Sequence, residues 1–141
     1  MIGDRRHVAL GEMGCLKPPR SAGRPHALAF LADELAKLLE RLTPDVVVVE
    51  TSFAARHPGA ALALAETRGA LLATLGRWGG EVVEYAPAKV KAAVVGYGRA
   101  EKQQVGYVVR QRLGLDEVPP EDAADALALA LCHLAYATAP R

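Results

Sequence analysis

The chain has 141 residues, 51% of them hydrophobic, and a formal net charge of +1. That size fits a single globular domain spanning residues 1–141. The balanced charge excludes a protein that is basic throughout, so any surface for a polyanion must be local. Cys15 and Cys132 lie far apart, without metal-ligand spacing, and read as packed thiols of a reducing cytosol. With no signal peptide and no apolar run long enough to cross a bilayer, a cytoplasmic protein without a membrane partner is expected.

Residues 7–16 predict a strand, closed by Lys17-Pro-Pro and a Ser/Gly/Pro loop. A helix over residues 25–42 follows, with Leu28, Leu31, Leu35, Leu38, Leu39 and Leu42 marking an apolar stripe. Thr43-Pro44-Asp45 ends it and leads into Val46-Val47-Val48-Val49. That run has no polar alternation and predicts a strand buried on both faces of a parallel sheet. A loop over 51–59 leads to a second helix over 60–75, rich in Ala and Leu and followed by Gly79-Gly80. Residues 81–85 predict a strand and 87–95 a short helix. Gly96-Tyr97-Gly98 breaks that helix before a longer one over 100–113. A loop over 114–120 precedes the last helix, 121–137, with Leu127, Leu131 and Leu134 toward the core. Strands alternating with helices give an α/β class.

Glu50 closes the valine run, and Asp122-Ala-Ala-Asp125 opens the last helix. In open α/β sheets, ligand groups gather at the carboxyl ends of strands, where Glu50 falls. Asp122 and Asp125 are three apart, so a helix puts them on one face. Three carboxylates so delivered could meet on one divalent cation, and hard oxygen donors suit magnesium or manganese rather than zinc. Each acid also has a plain structural reading. Acids complement the positive end of a helix, here marked by Pro119-Pro120, and Glu50 alone would be the first polar residue after a strand. His57 and His133 show no metal-ligand pattern and read as structural or surface residues.

Five blocks follow in order: Glu50-Thr-Ser-Phe53, Leu62-Ala-Leu-Ala-Glu-Thr-Arg68-Gly69, Tyr85-Ala-Pro-Ala-Lys89-Val-Lys91, Val94-Val-Gly96-Tyr-Gly98-Arg-Ala-Glu-Lys102 and Asp122-Ala-Ala-Asp125-Ala-Leu-Ala. Together they resemble the RuvC family of Holliday junction resolvases over nearly the whole chain, from about residue 5 to the last helix. The resemblance implies an RNase H-like fold, a mixed sheet flanked by helices, and an endonuclease that cuts four-way DNA junctions. One departure stands out. The family begins with a strand ending in Asp-Pro-Gly, whose Asp is the central metal ligand. Met1-Ile-Gly-Asp4 looks instead like the turn into the third strand, so the first strand and most of the second are expected to be missing. Asp4, in a turn, cannot replace that ligand. Without those strands, Val46–Val49 is expected to present an unpaired apolar edge, unless residues 7–16 slide in beside it.

The resemblance also assigns roles. Glu50, Asp122 and Asp125 become metal ligands and catalytic carboxylates, with Asp122 the less certain position because the family pattern admits other ligand types there. Lys102 becomes a catalytic cation, and Lys91 and Lys102 lie near the scissile phosphate. Lys89 and Arg99 join them as phosphate contacts around the Gly96/Gly98 turn; by themselves, the four would read as an ordinary solvated face. Phe53, in the loop after Glu50, suits stacking on an unpaired base, against the plainer reading of a hydrophobic plug. Gly69, inside a helix, suggests a close helix approach, with Leu62, Leu64 and Ala65 as contacts of a homodimer or as packing on the chain's own sheet.

The implied reaction is magnesium-dependent hydrolysis of a DNA phosphodiester, with manganese as a plausible substitute and paired nicks made by a dimer that works with branch-migration motor proteins. Two other readings remain open at this point. One is an impaired, truncated form that binds junction DNA or dimerises without cutting. The other is a related nuclease that processes RNA precursors.

Overall fold

A computed structural model of the chain describes residues 2–3, 8–51 and 57–137. In chain order the elements are β1 (Ile2–Gly3), β2 (Val8–Ala9), α1 (Arg24–Leu42), β3 (Val46–Glu50), α2 (Pro58–Trp78), β4 (Glu81–Tyr85), α3 (Pro87–Val95), α4 (Lys102–Leu113) and α5 (Glu121–Ala137). Two two-stranded sheets occur among the described residues, β1–β2 and β3–β4. The first is antiparallel, with Ile2 opposite Ala9 and Gly3 opposite Val8. In the second, the backbone N–H of Thr51, just past β3, donates to the carbonyl of Tyr85, the last residue of β4, at 3.0 Å. The carboxyl ends of both strands therefore lie side by side, which makes the pair parallel, with α2 as its crossover.

Contacts divide the chain into two compact units. One, residues 16–47 and 52–83, holds α1 packed on α2, with Leu39, Thr74 and Leu75 buried. Each helix begins with a proline in its first turn, where the missing N–H costs nothing. His57 caps α2 by accepting from the Ala60 N–H at 3.1 Å, and Gly79 ends the helix in the left-handed conformation at φ 77°. Arg24 and Glu66 form an ion pair between the helices.

The other unit comprises Met1–Cys15, Val48–Thr51 and Glu84–Arg141. Here α3, α4 and α5 pack on one another around Val90, Val94, Val105, Val109, Leu127 and Leu131. Ala123, Ala124 and Ala128 are buried on α5, and such small side chains admit close helix approach. Gly98 allows another approach: a Cβ there would stand 3.3 Å from the Ala88 carbonyl oxygen.

Several expectations change. Of the strand expected over residues 7–16, the described part forms strand only at Val8–Ala9, opposite the two residues of β1, and 11–15 run on as exposed irregular chain. Among the described residues, 8–16 do not pair with β3. The valine strand is half-buried along its whole length rather than buried on both faces, and β4 is its strand neighbour among the described residues. The apolar stripe of α1 stops short, since Leu39 is buried but Leu42 is 49% exposed. Cys15 is exposed, so Cys132 alone is a packed thiol. Gly69 meets no close neighbour: a Cβ built there would have nothing within 4 Å.

Gly76, also inside α2, is exposed and equally open. Replacing it with Ala restricts the unfolded chain and meets nothing in the folded one. Gly76→Ala is therefore expected to stabilise the protein by about 0.5–1 kcal/mol. Thermal or urea melts check this, and a destabilised variant would mean that this face of α2 is covered.

Candidate active site

Glu50 ends β3 and Thr51 anchors that end to β4, so the carboxylate is carried on a fixed backbone. Asp125 lies one turn inside α5, half-buried. Burial pushes the pKa of Glu50 up, and the charge of Asp125 pushes it further. Burial is also the main cause that raises Asp125. The charges of Lys102 and Lys91 act on both carboxyls in the other direction and favour their ionised forms.

Lys102 is the first residue of α4, where the helix dipole disfavours a cation. It is nonetheless held there by an ion pair with Glu121, the first residue of α5. That hydrogen bond pushes the pKa of Lys102 up, and the charges of Asp125 and Asp122 add to it. The start of α4 is fixed independently by a capping box. Glu101 accepts from the backbone of Gln104, and the Gln104 Oε1 accepts from the Glu101 N–H at 2.9 Å. The Tyr97 hydroxyl donates to the same Oε1 at 2.9 Å, tying the Gly96–Gly98 turn to the helix. Gly96 takes φ 107°, which closes α3 and suits glycine.

The structure thus brings four expected residues, Glu50, Asp125, Lys91 and Lys102, into one electrostatic neighbourhood. It does not gather all three acids. Asp122 is exposed, and its charge reaches Asp125 and Lys102. Among the described residues no three His, Cys, Asp or Glu side chains form a metal-holding group. Arg99 is exposed in the turn between α3 and α4. Lys89 sits elsewhere than the other lysines, because residues two apart on a helix point to different sides. Its Nζ lies 4.4 Å from the ring centre of Tyr136 and 5.1 Å from that of Tyr85. Phe53 lies outside the described residues.

Sequence reading missed two residues. Glu121 directly precedes Asp122, and its signal was the unbroken acidic start of the helix. Tyr85 is buried and shares a hydrogen bond of 3.1 Å with His133 Nδ1, which gives that histidine a partner. Nothing in the local sequence marks a pairing over that separation.

Two half-buried carboxylates, one opposing the ionisation of the other, form an oxygen donor set that a hard cation would relieve. Magnesium commonly takes one or two carboxylates and completes its shell with water and phosphate oxygens, so the pair fits such an ion. The flanking lysines suit an anionic substrate.

The family described as crossover junction endodeoxyribonuclease RuvC matches residues 4–133. The crossover junction endodeoxyribonuclease RuvC of Halorhodospira halophila is 45% identical over 140 residues, covering 99% of this chain and 84% of its own. That of Alkalilimnicola ehrlichii is 47% identical over 129 residues, covering 92% and 76%. The solved structure of Thermus thermophilus RuvC in complex with Holliday junction substrate superposes with a TM-score of 0.79 at 35% identity, over 86% of this chain and 74% of that one. The expected α/β, RNase H-like fold class stands with that match. The chain belongs to the RuvC family of crossover junction endodeoxyribonucleases.

Proposed function

We propose that the chain is a divalent-metal-dependent endonuclease that resolves four-way DNA junctions by paired nicks. The single observation that carries this reading is the grouping of Glu50 and Asp125 with Lys91 and Lys102 beside the carboxyl end of β3, in a chain of this family. Glu50 and Asp125 would hold magnesium, or manganese in its place. Asp122, one turn earlier on α5, is the candidate for a third donor once phosphate oxygens and water complete the shell. The ion, when bound, supplies an activated water and charge stabilisation for the leaving oxygen. Lys102 places an ammonium against the scissile phosphate, and Lys91 lies close to the same carboxylates. Lys89 and Arg99 are further phosphate contacts, and Phe53 stacks on an unpaired base at the crossover.

Paired nicks require two such sites related by symmetry, so the working form is a homodimer. Exposed residues of α2 are candidates for its contact: Leu62, 60% exposed, shares a helix face with the exposed Ala65 and Gly69, and Leu64, 39% exposed, lies on another side. Branch-migration motors are the further partners this reading implies, and the cytoplasm is its setting. Among the described residues no helix is long and apolar enough to cross a membrane.

The test is cleavage of a synthetic four-way junction, with linear duplex and a structured RNA as controls. Symmetric nicks that require magnesium and vanish in Glu50→Gln are the expected result. Junction binding without magnesium-dependent nicking would favour the binding-only reading, and faster cutting of RNA would favour an RNA-processing nuclease.

A further inference from the structure

We infer that Tyr85 is a positioning residue that sets the spacing between Glu50 and Asp125, through a chain of contacts running from β3 to α5. The inference rests on the proposed metal-dependent reading and adds a residue to it. Its first link is backbone. Thr51, next to Glu50, donates its N–H to the Tyr85 carbonyl at 3.0 Å, and its hydroxyl reaches the same oxygen at 3.4 Å. The second link is the Tyr85 side chain, which crosses to α5. Its hydroxyl shares a hydrogen bond of 3.1 Å with His133 Nδ1, and its ring stacks on Tyr136 with centroids 5.9 Å apart and planes 17° from parallel. His133 and Tyr136 are three apart, so one face of α5 grips the ring from both positions. The third link is α5 itself, a rigid rod that carries Asp125 about two turns before His133.

Glu50 and Asp125 thus belong to two elements that Tyr85 joins. Tyr85 is buried, at 8% exposed, whereas the bond to His133 is part-buried and Tyr136 is 45% exposed. Lys89 covers the Tyr85–Tyr136 pair, with its Nζ 4.4 Å from the Tyr136 ring centre and 5.1 Å from that of Tyr85. That contact gives Lys89 a local structural task in addition to any phosphate contact. The geometry separates two jobs often confused in a metal site. Donor atoms bind the ion, whereas the supports behind them decide whether two donors stand at a spacing the ion accepts. Changing a group behind the donors commonly costs about ten- to a hundredfold in affinity for the ion or in activity.

The experiment measures Mn²⁺ binding to the full chain by the loss of the free-ion electron paramagnetic resonance signal, with no DNA present. Junction binding in EDTA is measured in parallel. Tyr85→Phe removes only the hydroxyl and is expected to weaken Mn²⁺ binding about fivefold, the usual worth of one hydrogen bond. Tyr85→Leu removes the stack as well, for an expected loss of about tenfold or more. His133→Leu is expected to match Tyr85→Phe, and His133→Asn, which retains an acceptor near Nδ1, to recover most of the loss. Junction binding in EDTA is expected to stay at the unmodified level in Tyr85→Phe and both His133 variants, which leave the Tyr85 ring beside Lys89 in place. If Tyr85→Leu does not fold, the two His133 variants decide. Unchanged Mn²⁺ affinity in the variants would overturn the inference while leaving the proposed function standing. So would a parallel fall in metal-free junction binding in Tyr85→Phe and the His133 variants, or equal losses in His133→Asn and His133→Leu. An unmodified chain that neither binds Mn²⁺ nor cuts junctions would overturn the proposed function, and this inference with it.

Discussion

Asp125→Asn is expected to lower junction cleavage at least about a thousandfold, because the site loses one of its two half-buried charged oxygen donors. The same substitution is expected to make the metal-free protein slightly more stable. The pKa values of Glu50 and Asp125 are both raised in the folded chain, mainly by burial, so folding favours their protonated forms. That contribution is fully present below the ordinary carboxylate range of about pH 4 and is lost as pH rises through the raised values. Above those raised values both groups are ionised at a cost to the fold. Neutral Asn removes one charge and relieves the other, for a gain on the order of 0.5 kcal/mol after solvent screening. Melting in EDTA at pH 7.5 reads the gain, and single-turnover cleavage reads the loss. Cleavage in the unmodified chain is also expected to fail on acidification at a higher pH than ordinary carboxylates would give, since both carboxyls must ionise to bind the ion. A variant that cut at the unmodified rate would remove Asp125 from the site.

The elements that the sequence made legible were those with strong local signals. Pro87, Gly96 and the short apolar run between them bounded α3 correctly, and the acidic start and leucine spacing of α5 did the same for Glu121–Ala137. α4 begins two residues later than expected, because Glu101 is spent on the capping box rather than on a helical turn. Residues 7–16 misled for a different reason. Apolar content there favours a strand, but a strand lasts only as far as a neighbour pairs with it, and β1 offers two residues. The same dependence on partners explains the valine run. Its composition suited burial on both faces, yet burial depends on what covers the strand, and all five residues remain half-buried.

The site divides along similar lines. Glu50 and Asp125 were legible because a strand end and a helix face fix where their side chains go. Asp122 satisfies the same three-residue rule, but its place in the first turn leaves it exposed, and its charge acts on Asp125 and Lys102. Lys89 read as one of a set with Lys91, although a helix turns by about 200° over two residues and separates them. The pairing of Tyr85 with His133 escaped notice because residues 48 apart in sequence leave no local pattern. Family resemblance carried the nuclease reading, and charge placement supplied the reasons for it.

Lys102→Met is expected to reduce cleavage about a hundredfold, the scale set by removing one preorganised group that stabilises charge in a transition state. Its placement argues for a functional cation. A lysine at the first position of α4 opposes the helix dipole, and methionine there would avoid that conflict. The side chain is also well exposed, so its ion pair with Glu121 adds little to stability. The expected signature is therefore a slow variant whose melting temperature barely moves. Loss of the ammonium also removes an influence that favours ionised Glu50 and Asp125, so the acid limb of the pH profile is expected to shift upward. Glu121→Gln gives the contrast. It releases Lys102 from its partner, is expected to change stability by no more than about 0.5 kcal/mol, and should leave cleavage intact. Lys102→Arg keeps the charge but spreads it over a planar fork, and partial activity is the expected result. Single-turnover rates across these three variants order them, and a Lys102→Met protein that cuts at the unmodified rate would reduce Lys102 to a surface partner of Glu121.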